Sequence, residues 1–81
     1  MPPTAVRRLT REAQRELAAG KLAQAWQKQE QAYTAWPAID GLYRLGRIAE
    51  AQGRLLDAQD LLRRFLSDPR FDPAASVVEE A

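Results

Sequence analysis

Cysteine and histidine are both missing from this 81-residue chain. Their absence removes disulfides, thiolate nucleophiles, the commonest metal ligand and the side chain that most often moves protons near neutral pH. A catalytic or metal site would have to be assembled from carboxylates, Lys, Tyr, Ser or Thr alone. An excess of one charge is missing too: twelve Lys and Arg stand against eleven Asp and Glu, for a net charge of +1. Nucleic-acid modules draw affinity from a strong basic excess, so no nucleic-acid partner is expected. The chain has no long apolar run, and a spanning helix needs roughly eighteen such residues, so no membrane insertion is expected. The opening "MPPTAVRRLTREAQ" lacks the apolar core of a secretory signal, which favours a cytoplasmic setting and leaves an envelope-associated parent protein open. No stretch alternates at period two, so no strand is expected.

Helical periodicity, by contrast, runs through most of the sequence. Val6, Leu9, Ala13 and Leu17 share one face of a first helix over about 4–19, which breaks at Gly20. A second, about 22–35, carries Leu22, Ala25, Ala32 and Tyr33 along a stripe with Trp26 beside it. "WP" closes it, since the residue before proline is pushed out of the helical region while Pro37 suits a first helical turn. The third, about 37–52, uses Ile39, Leu42, Leu45, Gly46 and Ala49, and breaks at Gly53. The fourth, about 55–66, presents Leu55, Ala58, Leu62, Phe65 and Leu66. "SDPRFDP" reads as a loop, after which Asp72 and Pro73 read as the N-cap and first position of a short fifth helix over about 73–81.

An offset of 33 residues relates the two halves. Gly20 and Gly53 are so related, as are Ala25 and Ala58, Leu9 and Leu42, Val6 and Ile39, and Ala13 and Gly46. Glycine inside a helix costs roughly 1 kcal/mol relative to alanine, so Gly46 needs a reason. A small residue at 13 or 46 lying opposite Ala25 or Ala58 lets two helices approach closely, which makes Gly46 a packing glycine. Gly20 and Gly53 are read as turn residues that reverse the chain.

The stretch "LYRLGRIAEAQGRLLDAQDLLRRFLSDP" resembles a tetratricopeptide repeat (TPR) through Leu45-Gly46, Gly53, Ala58, Leu62 and Pro69, with Pro69 one residue early. The preceding unit matches more loosely through Ala13, Gly20, Ala25, Ala32 and Pro37. The resemblance covers about residues 6–72 and implies an all-α fold: two antiparallel helical hairpins plus a C-terminal capping helix, stacked as a short right-handed α-solenoid. Residues 1–81 would form one domain, with repeat one at about 6–38, repeat two at about 39–72 and the C-terminal helix at about 73–81. Departures cluster in the first unit, where Glu12 and Glu16 replace Leu45 and Ala49 and Gln29 replaces Leu62. Unpaired carboxylates are costly inside a stack and tolerable where the first helix of a terminal repeat meets water, so residues 4–19 are read as an N-terminal edge. The fifth helix, with Val77 and Val78, would cover the other end. "VVEEA" stops within its pattern, which suggests a piece of a longer protein.

The resemblance further implies a concave groove lined by the first helices of the repeats and holding a partner segment. By register it would carry Arg7, Thr10, Arg11 and Gln14 from the first unit, and Asp40, Tyr43, Arg44, Arg47, Glu50 and Ala51 from the second. Four arginines with a tyrosine among them suit carboxylate recognition, so an acidic protein or peptide partner is expected. The bland alternative is a solvated face with internal pairs such as Arg47 with Glu50 or Asp40 with Arg44. The family's clamp for C-terminal carboxylates uses a Lys and Asn set that this sequence lacks. Self-assembly, as a homodimer burying the apolar ends of two repeats, is the other binding reading. Trp36 is expected to pack between units; Trp26 is either a partly covered core edge or an interface anchor. Arg63-Arg64 suits a helix C-terminus. With no nucleophile–base pair, glycine-rich phosphate loop or metal spacing, the sequence argues against an enzyme and implies no cofactor and no metal.

Overall fold

The computed structural model describes residues 2–72 and is all-helical, with four helices and no strand among the described residues: α1 (Thr4–Ala18), α2 (Leu22–Ala35), α3 (Ile39–Ala51) and α4 (Leu55–Ser67). The fifth helix expected over 73–81 lies outside the described residues. No described helix is long and apolar enough to cross a membrane. Helix α1 packs on α2, α3 packs on α4, and α2 joins the two pairs through α3.

Both turns within the pairs are built alike. Gly20 and Gly53 have φ of 79° and 78°, the left-handed region in which a side chain is strained. The Gly20 N–H donates to Leu17 O at 3.1 Å and the Lys21 N–H to Glu16 O at 2.8 Å; Gly53 donates to Glu50 O at 3.0 Å and Arg54 to Ala49 O at 2.9 Å. These paired bonds satisfy carbonyls that the ending helix leaves open and set the reversal. The turn joining the pairs has a different form. Before Pro37 the chain is extended at Trp36 (φ −146°, ψ 91°), and α3 begins only at Ile39. Pro37 therefore precedes the helix instead of starting it.

The main core sits in the second pair: Leu42, Leu45, Ala49, Ala58, Leu61 and Phe65, with Trp26, Tyr33, Ile39, Tyr43 and Phe71 packed around it. In the first pair the buried positions are smaller, Val6, Ala13, Ala25 and Ala32, with Gln29 among them. Gly46 does face α4. A β-carbon there would fall 2.9 Å from Leu62 Cδ2 and 3.6 Å from Ala58 O. Gly41 plays the matching part between the pairs, since a β-carbon there would fall 2.6 Å from Tyr33 Cδ1.

Glu12 and Glu16 do not simply face water. Lys28 of α2 reaches both, its Nζ lying 2.7 Å from Glu16 Oε1 and 3.2 Å from Glu12 Oε1. Hydrogen bonding to Glu16, then to Glu12, raises the Lys28 pKa above its ordinary value. Polar substitutions along α1 are thus answered by a cation from its neighbour. Among the described residues, the buried acceptors Glu16 Oε2 and Gln29 Oε1 have no hydrogen-bond partner.

Candidate functional site

A concavity of about 350 Å³ is lined by residues of α1 and α3. Gln14 and Leu17 line it from α1; Tyr43, Arg44, Arg47, Glu50 and Ala51 line it from α3. On α3 these positions recur at three- and four-residue spacing, which puts them on one helical face, while Leu42, Leu45 and Ala49 turn inward to the core.

Tyr43 anchors the wall. Its ring stands 5.4 Å from the Phe65 ring, which in turn meets Phe71 edge-on at 5.1 Å. The phenol oxygen accepts a hydrogen bond from Arg47 Nη1 at 2.9 Å, and Arg47 Nε lies 3.6 Å from Glu50 Oε1. The Arg47 guanidinium therefore has partners on both sides, although the Glu50 pair is exposed and loosely held, a type worth little in stability.

Arg44 is different. It is half-buried and has no ion pair among the described residues; the Asp40–Arg44 pair that a solvated face would use is not formed. A second, smaller hollow of about 180 Å³ lies on its other side, walled by Val6, Thr10, Gln29, Tyr33, Trp36 and Asp40. Arg44 lines both hollows. A guanidinium in that position offers its donors to an anion lying along the α1–α3 face.

Of the residues assigned from sequence, Gln14, Tyr43, Arg44, Arg47 and Glu50 come together in the larger concavity, with Ala51. Asp40 and Thr10 fall in the smaller one. Arg7 and Arg11 are exposed on α1 and line neither. Leu17 joins the lining of the larger concavity although its apolar periodicity marks it for the core. Trp36 also departs from expectation: it is 40% exposed at the edge of the smaller hollow, since the extended backbone before Pro37 carries it away from the helix stack. Trp26 is a core edge, half-buried, with the Arg54 guanidinium 4.3 Å from its ring centroid and Arg54 itself paired with Asp57 at 3.0 Å.

Among the described residues no three acidic side chains gather as they would around a metal ion. No family model, curated protein or solved structure matches the chain.

Proposed function

We propose that this chain is a TPR-like module that binds an acidic segment of a partner protein along the face formed by α1 and α3. The observation that carries this reading is Arg44, a half-buried guanidinium without an ion pair among the described residues, standing between two hollows. Arg47 and Tyr43 extend the donor set beside it, and Gln14 and Leu17 supply an amide and an apolar wall from α1. The 33-residue repetition and the matching glycine turns support the repeat reading. In such a stack the second helices form the outer layer and the first helices form the binding wall. A partner carboxylate would take the forked donors of Arg44, and an aliphatic neighbour would lie against Leu17.

A fluorescein-labelled oligoglutamate peptide tests this by fluorescence anisotropy. Binding should weaken as salt rises, because exposed charges are screened within about 8 Å at physiological ionic strength. Arg44→Glu should remove binding and leave the thermal melt in place. An Arg44→Glu variant that unfolds while its folded fraction still binds would make the arginine structural and end the groove assignment.

A further inference from the structure

We infer that the smaller hollow binds a free α-amino acid, its ammonium held by Asp40 and its carboxylate by Arg44. The hollow measures about 180 Å³ and lies where α1, α2 and the start of α3 meet. At roughly 30 Å³ per water it has the room of about six waters. That space suits one small amino acid and is too little for a nucleotide or a helical segment.

Asp40 and Arg44 stand one helical turn apart on α3, are both half-buried, and both line the hollow. An acid one turn before a base is the favoured order for a helical ion pair. These two do not pair, and among the described residues neither side chain has another ion pair or hydrogen bond. Partly burying two separate charges is unfavourable unless each finds a partner. A simple anion placed here would meet Asp40, and a simple cation would meet Arg44. A ligand carrying both charges on one carbon serves both.

The remaining lining is rich in acceptors. Thr10 Oγ1 donates its proton to Val6 O at 3.1 Å, so toward the hollow its oxygen offers only lone pairs. Gln29 is 2% exposed, and its Oε1 has no hydrogen-bond partner among the described residues. That oxygen is covered, and the broad terminal torsion of a carboxamide lets it turn toward the opening. With Asp40 it makes a third acceptor beside Thr10. Three acceptors around one space match the three N–H donors of a primary ammonium, while the Arg44 fork matches a carboxylate. Val6 and the exposed Trp36 add an apolar wall for a short aliphatic side chain. Arg44 also faces the larger concavity, whereas Asp40, Thr10 and Gln29 line the smaller hollow and not the larger one. The amino-acid site therefore shares one residue with the face proposed for an acidic segment and is otherwise separate.

Titrating L-valine into the isotope-labelled full chain tests this by NMR. The Gln29 side-chain amide and the Trp36 indole N–H should shift and saturate together, with a Kd in the millimolar range or tighter. N-acetyl-L-valine lacks the ammonium and L-valinamide lacks the carboxylate, so each should bind about tenfold or more weakly. Asp40→Asn should weaken L-valine by about tenfold or more, and Gln29→Leu by about threefold or more. Gln29→Leu should do so while raising the melting temperature, which separates lost binding from lost folding. Asp40→Asn should leave oligoglutamate binding in place, so that failure of this site and failure of the acidic-segment reading are told apart. No saturable shift with L-valine, full-strength binding of either blocked analogue, or undiminished binding by both variants would each overturn the inference. In particular, valinamide matching valine would assign the hollow to the N-terminus of a peptide instead.

Discussion

Arg70 Nη1 donates to the carbonyl oxygen of Pro37 at 2.8 Å, across a separation equal to the repeat offset of 33. The same guanidinium grips Asp68, Nε to Oδ1 and Nη2 to Oδ2, both at 3.0 Å, and the Arg70 backbone N–H donates to Oδ1 at 2.8 Å. The segment after α4 is thereby tied to the segment after α2, and Phe71 is set against Phe65. Since the Phe65 ring packs against Tyr43, the clasp at one end of the fold supports the tyrosine that lines the larger concavity.

The clasp gives a pH signature. Hydrogen bonds from the Arg70 side chain, then its backbone N–H, lower the Asp68 pKa from 3.8 to about 2. A carboxyl whose pKa is lower folded than unfolded contributes stability above the unfolded value and loses it as pH falls through the folded one. Part of the domain's acid destabilisation should therefore fall between about pH 4 and 2. Asp68→Asn should lower the melting temperature at pH 7 and reduce its decline over that window. Identical pH profiles for the two proteins would show that the clasp does not contribute.

Close helix approach at two glycines predicts unequal outcomes. At Gly46 an added β-carbon meets the end of the Leu62 side chain, which can turn aside, and alanine improves helix propensity. Gly46→Ala should be mildly destabilising or neutral, and Gly46→Leu should cost about 1–3 kcal/mol or more by overpacking. At Gly41 the obstacle is the near edge of the Tyr33 ring, held in the core boundary. Gly41→Ala should thus cost more than Gly46→Ala. Urea unfolding of the three variants checks the order.

Gln29 is 2% exposed and its Oε1 has no hydrogen-bond partner among the described residues. Its offset counterpart is Leu62. Leaving a buried acceptor unpaired costs about 1–3 kcal/mol, so Gln29→Leu should stabilise the fold by up to about that amount. The smaller hollow should lose polarity without closing. A destabilised Gln29→Leu variant would mean that the amide has a partner in solution.

Groove recognition and folding should separate in mutagenesis. Arg44→Ala removes a cation that has no ion pair among the described residues, so its melt should match wild type. Arg47→Ala releases Tyr43 and Glu50 together and should loosen the wall as well as weaken peptide binding. Anisotropy and melts on both proteins distinguish the two roles.

Periodicity alone located four helices to within two residues at each end, because an apolar stripe repeating every three to four residues has one stable use in a small chain. It also marked the turn glycines, since the chain can reverse in that tight motif most readily where a left-handed backbone carries no side chain. The reason for Gly46 followed from its partner at the repeat offset. Tertiary structure alone decided the rest. Lys28 bridges Glu12 and Glu16 from another helix, and Gly41 yields space to a ring on α2; neither pairing has a spacing that a one-dimensional pattern records. The arginines show the same division. Register put Arg7, Arg11, Arg44 and Arg47 on comparable faces, but a helical face is wider than a groove, and only packing determined that Arg44 and Arg47 line the concavity while Arg7 and Arg11 do not. Which charges neutralise one another depends on distances between helices, and the sequence carries those distances only through the packing of every side chain between them.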